Sequence, residues 1–201
     1  NQAQVDTAQH AFAADSGSIL FDGTGDYLSL VNSADWVLGT GNFTIDFWVR
    51  FNSETGNGQL FSYGGWGSGS NADGWDMRCG NSDNWWYFSA KNPNFDLGYE
   101  FTAQALNTWY HCAVVRNGND YTMYINGASV ATVTNTGSLV DSGKTFKIGI
   151  DHTANDAYSF DGWIDEFRIS KGVARWTANF TPPTKAYDTS SYTPRAIMIS
   201  D

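Results

Sequence analysis

Apolar and polar residues alternate along most of this chain, and this alternation constrains the fold more than any other feature of the sequence. It is clearest in the segment 43–51, whose even positions are Thr44, Asp46, Trp48 and Arg50 and whose odd positions are all apolar: Phe43, Ile45, Phe47, Val49 and Phe51. Successive side chains of a β-strand point to opposite faces of a sheet, so the pattern predicts a strand with one buried face. No window of about a dozen residues shows a helical period.

Short segments of the same kind follow one another, separated by residues that favour turns. The predicted strands are 18–22, 26–31, 43–51, 59–63, 74–78, 85–90, 109–116, 121–125, 128–133, 145–150 and 162–169. Asn126-Gly127 is typical of a tight hairpin because both residues tolerate positive φ, and Gly23-Thr24-Gly25 predicts another hairpin. Single helical turns are expected at 33–37 and 172–176. The sequence therefore predicts an all-β, two-sheet antiparallel sandwich.

All-β sandwiches as long as this chain of 201 residues commonly form one domain. A polar linker follows Thr181-Pro182-Pro183, and the chain then becomes apolar again at Ala196-Ile197-Met198-Ile199. We therefore predict one sandwich domain over residues 1–183, followed over residues 184–201 by a linker and a C-terminal strand.

Net charge and hydropathy each exclude one class of partner. Eleven basic residues, scattered singly, stand against 21 acidic ones, which gives a net charge of −10 and repels the phosphates of nucleic acid. The chain contains no run of about 18 apolar residues, which a transmembrane helix needs, so no membrane insertion is expected.

The two cysteines, Cys79 and Cys112, are too few for a disulfide scaffold. Cys112 lies in the apolar run 109–115, which predicts a small core residue, although a bridge between the two cysteines is the alternative.

The sequence offers little for catalysis. His10, His111 and His152 are isolated and lack the spacing of metal ligands. A glycosidase needs two carboxylates roughly 5–9 Å apart across its substrate, whereas Asp165 and Glu166 are neighbours on a predicted strand and would face opposite ways. We predict that the chain is not an enzyme.

Aromatic residues suggest where a ligand could bind. Flat rings beside Asn and Asp suit stacking on sugars, and five candidates lie in or near the loops 66–84: Trp66, Trp75, Trp85, Trp86 and Tyr87. The alternative is that these rings belong to the core, as most tryptophans of a sandwich do. Because Trp85 and Trp86 are adjacent on a predicted strand, one of them must point away from the core.

Several motifs resemble the concanavalin A-like, laminin G-like jelly-roll family over residues 18–183. They are Phe21-Asp22-Gly23-Thr24-Gly25-Asp26-Tyr27, Phe43-Thr44-Ile45-Asp46-Phe47-Trp48, Thr108-Trp109-Tyr110-His111, Gly162-Trp163-Ile164-Asp165-Glu166-Phe167 and Trp176-Thr177-Ala178-Asn179-Phe180-Thr181-Pro182-Pro183. The resemblance implies a concanavalin A-like lectin/glucanase type of fold. It also implies a binding or adhesion module, directed to surface glycans, that works in the extracellular space or on a cell or virion surface.

The resemblance further implies a structural calcium ion between Asp165 and the first turn, where Asp22, Asp26 and the carbonyl of Gly25 would supply ligands. Alternation of side chains along the segment 162–169 predicts that Asp165 shares the inward face. The alternative is that Asp22 and Asp26 are ordinary turn residues and that Asp165 accepts backbone hydrogen bonds.

Members of the family usually begin with a strand ahead of the first hairpin, and none is predicted before residue 18. The C-terminal segment 195–201 resembles that strand, and its apolar residues are Ala196, Ile197, Met198 and Ile199. It could fold back into its own sandwich, or it could enter a neighbouring copy. The second alternative would make the chain a structural subunit of a virion or extracellular filament, with copies of itself as partners.

Overall fold

The computed structural model describes residues 2–12, 17–53, 57–65, 73–80, 84–101 and 104–188. Within these ranges the chain forms strands and two single-turn 3-10 helices, Ala34–Trp36 and Asp156–Tyr158. The strands are β1 (Gln4–Asp6), β2 (Ser18–Asp22), β3 (Leu28–Leu30), β4 (Phe43–Phe51), β5 (Asn57–Gly64), β6 (Gly74–Gly80), β7 (Trp85–Lys91), β8 (Phe95–Glu100), β9 (Trp109–Asn117), β10 (Asp120–Ile125), β11 (Ala128–Thr134), β12 (Phe146–Ile148) and β13 (Asp161–Lys171).

Two antiparallel sheets pack face to face, which confirms the predicted all-β sandwich. The seven-stranded sheet has the order β1-β2-β13-β4-β9-β10-β11, and the six-stranded sheet has the order β3-β12-β5-β6-β7-β8. The predicted hairpin at Asn126-Gly127 is confirmed, since it joins β10 to β11 and both residues have positive φ.

The core lies between the two sheets and is rich in aromatic rings. All five apolar residues at the odd positions of β4 are buried, as the alternation predicts. They face rings from the six-stranded sheet: Phe47 packs edge-on against Phe61, and Phe51 against Trp86. Burial of such large apolar surfaces is the main force that holds the sheets together.

The first turn differs from its prediction. β2 belongs to the seven-stranded sheet and β3 to the six-stranded one, so Gly23-Thr24-Gly25 carries the chain between sheets and closes no hairpin. The expectation that no strand precedes residue 18 is also wrong, because β1 pairs with β2. The turn predicted at 33–37 is confirmed, whereas 172–176 is not helical and β8 was not predicted.

A bulge in β13 overturns the predicted direction of Asp165. Asp165 lies opposite Trp48 of β4 and Arg168 lies opposite Asp46, so β13 has one extra residue between the two pairs. Glu166 occupies it with a φ of 51°. The alternation therefore shifts at the bulge: Asp165 shares the outer face with Arg168, and Phe167 packs inward on Phe47.

The two cysteines are free and buried, so the bridge left open by the sequence is not formed.

Candidate functional site

Two aromatic rings lie side by side on the outer face of the six-stranded sheet. Alternation along β7 buries Trp86 and Phe88 completely and turns Trp85 and Tyr87 outward, where both are partly exposed. The ring centroids of Trp85 and Tyr87 are 5.5 Å apart, and the ring planes are inclined by only 15°. One of the adjacent pair Trp85 and Trp86 thus points away from the core, as predicted.

Gly98 of the neighbouring strand β8 allows this arrangement. It lies opposite Tyr87, and a Cβ atom placed on it would be 2.9 Å from Cε1 of Tyr87 and 3.2 Å from Cε3 of Trp85. Real Cβ atoms almost never come within 3.0 Å of another atom. The two rings therefore lie over the backbone of Gly98, in space that any larger residue would occupy.

On the other side of Tyr87, strand β6 adds polar groups. Arg78 lies opposite Tyr87, with its guanidinium carbon 4.8 Å from the ring centroid. Its Nη1 atom lies 3.2 Å from Oδ1 of Asp76 and donates a hydrogen bond of 2.9 Å to Oγ of Ser89. Asp76 is only 1% exposed because the Gly65 backbone covers it. We call Trp85, Tyr87, Arg78, Asp76 and Ser89 the aromatic platform.

The platform combines the apolar rings of Trp85 and Tyr87 with a planar hydrogen-bond donor, the guanidinium of Arg78. Such rings can pack on the C–H face of a sugar while the guanidinium donates to its hydroxyl groups. The positive charge of Arg78 is balanced by Asp76. Arg78 and Lys91 are the only basic residues between residues 51 and 115 of the sequence, and the exposed Asp96 and Glu100 lie on the adjacent strand β8.

Two residues predicted for the ligand platform belong to the core instead. Trp75 and Trp86 are both 0% exposed, so their assignment as ligand-stacking rings is wrong. The cause is the phase of alternation, which turns Trp75 inward on β6 and turns Asp76 and Arg78 outward. Trp66 lies outside the described residues. The same alternation of β6, read from Trp75 and Met77, could have identified Asp76 and Arg78 in the sequence.

The structure does not bring together the four residues predicted to bind calcium. Asp161, and not Asp165, lies opposite Asp22; four residues along a strand place Asp165 about 13 Å farther on. Asp165 accepts hydrogen bonds from the backbone N–H groups of Ala11 and Glu166, at 2.9 and 2.8 Å. This is the alternative that the sequence left open for Asp165.

Asp22 and Asp26 remain together at the first turn with Gly25. Asp22 is exposed and accepts from Thr24 N, whereas Asp26 is 3% exposed and accepts from Asp22 N through Oδ2. Its Oδ1 atom is buried without a hydrogen-bond partner in the described part of the chain. Burial, as the main cause, raises the pKa of Asp26. Within the same ranges, no three His, Cys, Asp or Glu side chains converge as a metal site.

A buried charged network on the outer face of the seven-stranded sheet was not predicted. Asp46 is fully buried, forms an ion pair with Arg168 at 2.8 Å and accepts a hydrogen bond from the Tyr187 hydroxyl. Burial alone would raise the pKa of Asp46, but hydrogen bonds involving His111, Arg168 and Tyr187 outweigh it and hold the pKa below its usual value. His111 is likewise 0% exposed, beneath Trp176. Because Asp46 and His111 at the centre of this network are both 0% exposed, we interpret the network as structural.

The predicted assembly residues Ala196, Ile197, Met198 and Ile199 lie outside the described residues. Where the structure is described, no helix has both the length and the apolar character that crossing a membrane would require.

Comparison with solved structures places this fold among sugar-binding and laminin domains. A carbohydrate-binding module, CBM40, of a Ruminococcus gnavus sialidase, crystallised with α2,3-sialyllactose, superimposes with a TM-score of 0.60 at 17% identity and covers 78% of this chain and 90% of the module. A candidate carbohydrate-binding protein of Bacteroides ovatus gives a TM-score of 0.64 at 18% identity, over 87% of this chain and 48% of that protein.

Domains LG4-5 of the mouse laminin α1 chain give a TM-score of 0.60 at 18% identity. The alignment covers 84% of this chain and 41% of the laminin fragment, so this chain spans about two fifths of that fragment. No curated protein matches the sequence significantly. The family model of the concanavalin A-like lectin/glucanases superfamily matches residues 22–177. The chain therefore belongs to the concanavalin A-like lectin/glucanase superfamily.

Proposed function

We propose that this chain is a non-catalytic glycan-binding module and that the aromatic platform is its sugar-binding surface. The observation that carries the proposal is the pair of nearly parallel, partly exposed rings of Trp85 and Tyr87 with the Arg78 guanidinium beside them. The fold shared with a module crystallised with sialyllactose supports it. We also propose an extracellular, cell-surface or virion-surface location, in keeping with the family.

The surroundings of the platform support a binding role without hydrolysis. Asp76 and Asp96 both lie opposite Ser89, on either side of it, and so form a pair of carboxylates across the sheet. Asp76 is covered and ion-paired, so it cannot exchange a proton with a substrate on the surface. A glycosidase needs both of its carboxylates in contact with the substrate.

Charge favours neutral sugars over acidic ones. A sugar carboxylate would have to compete with Asp76 for the guanidinium of Arg78, and it would lie near the exposed carboxylates of Asp96 and Glu100. Like charges without compensation weaken binding. Although the Ruminococcus gnavus module was crystallised with a sialylated sugar, we propose that this chain prefers neutral glycans.

A glycan array that contains matched sialylated and desialylated sugars tests both parts of the proposal. We expect binding to neutral sugars, and a loss of about tenfold or more in Trp85→Ala, which corresponds to roughly 1.4 kcal/mol. Trp163→Ala is the matched control, since Trp163 lies on the other sheet with an Arg50 guanidinium carbon 4.6 Å from its ring centroid. Binding to no sugar, or an equal loss in both variants, would contradict the proposal. Sugar release from a bound oligosaccharide would contradict the non-catalytic part alone.

A further inference from the structure

The sandwich has an apolar cleft on the side away from the aromatic platform. Its volume is about 370 Å³, and it opens between β2 and β13 of one sheet and β3 and β12 of the other. Deep in the cleft, Phe21 and Phe146 are fully buried. The apolar residues near its mouth are only partly buried: Ile19, Leu30, Trp36, Phe167 and Ile169. Within the described ranges, the core is therefore incompletely covered along this side.

Both sheets also have open strand edges beside the cleft. Pairing of β13 with β2 ends at Ile164, whereas its pairing with β4 continues to Lys171. In the described ranges, nothing pairs with the second half of β13 on the β2 side, and β3 is the outermost strand of its sheet. Unpaired backbone groups next to exposed apolar side chains are the features that accept an additional strand.

Near the end of its described part, the chain passes beside this cleft on the outer face of the seven-stranded sheet. The backbone N–H of Tyr187 donates to Oε2 of Glu166, and Glu166 lines the cleft. The ring of Tyr187 is held by Asp46 and by Arg168, whose guanidinium carbon is 3.6 Å from the ring centroid. From Tyr187 to Ala196 is nine residues, which can span up to about 30 Å at roughly 3.3 Å per residue. The cleft is thus well within reach.

We infer that residues 195–199 of the same chain occupy the cleft as an additional strand along the open edge of β13. Ala196-Ile197-Met198-Ile199 supplies apolar side chains that match the apolar lining of the cleft, and Arg195 complements the carboxylate of Glu166, which also lines it. Anchoring at Tyr187 keeps the segment at a local concentration of order millimolar, so its own cleft is filled in preference to that of a neighbouring copy.

Deletion of residues 195–201 tests the inference. We expect a fall of about 5–10 °C in melting temperature, because apolar contacts are lost, together with increased fluorescence of the dye ANS at the opened cleft. Ile197→Asp/Ile199→Asp is expected to act like the deletion. Ser191→Asp/Thr193→Asp adds the same charge outside the apolar residues and is expected to change neither quantity. An unchanged melting temperature in the deletion would overturn the inference.

Disulfide cross-linking distinguishes the cleft of the same chain from that of another copy. Ile197→Cys is combined with either Leu30→Cys or Ile169→Cys, while the native Cys79 and Cys112 are buried and serve as internal controls. We expect mild oxidation to give a cross-linked monomer with at least one partner. Disulfide-linked dimers, or no cross-link with either partner, would overturn the inference. Because the aromatic platform lies on distant strands, either result leaves the glycan proposal untouched.

Discussion

The guanidinium of Arg78 donates a hydrogen bond of 3.2 Å to the carboxylate of Asp76 on the outer face of the six-stranded sheet. Asp76 is nevertheless only 1% exposed. The pair links the partly exposed Arg78 of the proposed binding surface to the covered carboxylate of Asp76. The guanidinium carbon of Arg78 lies 4.8 Å from the ring centroid of Tyr87, and its Nη1 atom donates a hydrogen bond to Oγ of Ser89. The ion pair therefore helps to position the partly exposed ring of Tyr87 and to balance the charge of the surface.

Removing Arg78 should cost stability as well as binding. In Arg78→Met the covered Asp76 carboxylate loses its cation, and we expect the free energy of unfolding to fall by about 2–4 kcal/mol. Urea unfolding measures it. Asp76→Asn/Arg78→Met also removes the charge of the covered carboxylate, so it should recover a large part of the loss. If Arg78→Met were as stable as the unaltered chain, the ion pair between Arg78 and Asp76 would not be important for stability.

Gly98→Ala should weaken sugar binding without unfolding the chain. The added methyl group would meet both platform rings, at 2.9 Å from Tyr87 and 3.2 Å from Trp85, and would push them out of the surface. We expect a three- to tenfold loss of affinity, about 1 kcal/mol, by calorimetric titration with a sugar that the array identifies. Gly41→Ala is the matched control, since the nearest atom to its Cβ is the Leu38 carbonyl oxygen at 3.8 Å. Equal affinities in the two variants would argue against the platform.

Trp75→Ala and Trp85→Ala should separate folding from binding. Trp75 is completely buried and contacts Phe61 and Phe146, so its truncation should lower the free energy of unfolding by about 3–5 kcal/mol. Trp85 is partly exposed, so its truncation should cost less than about 1 kcal/mol while it abolishes most sugar binding. Thermal melts and the glycan array measure the two effects. The reverse order of stabilities would mean that the sheet faces are wrongly assigned.

The Asp46 network should make the chain sensitive to acid. The folded-state pKa of Asp46 lies below its value of 3.8 in the unfolded chain, despite burial, because hydrogen bonds stabilise the carboxylate. A carboxyl group whose pKa is lower in the folded chain stabilises the fold at pH values above its pKa in the unfolded chain. This contribution is lost as the pH falls through the pKa in the folded chain. We therefore expect stability to decrease below about pH 4. Asp46→Asn should be less stable at pH 7 and should lose less between pH 7 and pH 3.

Asp96→Asn is the control for that experiment, because Asp96 is exposed on β8. Its acid sensitivity should equal that of the unaltered chain. If Asp46→Asn lost as much stability in acid as the unaltered chain, the network would not be its source.

A calcium ion at the first turn stays a prediction, now restricted to the oxygens of Asp22, Asp26 and the Gly25 carbonyl. The Oδ1 atom of Asp26, which has no hydrogen-bond partner in the described ranges, is the oxygen best placed to gain from a cation. We expect calcium to raise the melting temperature, EDTA to reverse the rise, and Asp26→Asn to abolish it. Identical melting curves with calcium and with EDTA would refute the ion.

The sequence by itself determined the fold class and much of the strand pattern. A strand and its period-two alternation are local properties, so β4, with its five buried apolar residues, and the hairpin at Asn126-Gly127 could be predicted from neighbouring residues alone. The same rule predicted that one of Trp85 and Trp86 faces outward.

Only the tertiary structure decided how these strands combine. Nothing local shows that Gly23-Thr24-Gly25 crosses from one sheet to the other, or that an extra residue at Glu166 turns Asp165 outward. Nor could the sequence show that Arg78 and Gly98, which are twenty residues apart, lie opposite Tyr87 on its two neighbouring strands. The physical reason is that pairing register and sheet assignment are set by contacts between residues distant in the chain, and these contacts form only when both sheets bury their apolar faces together.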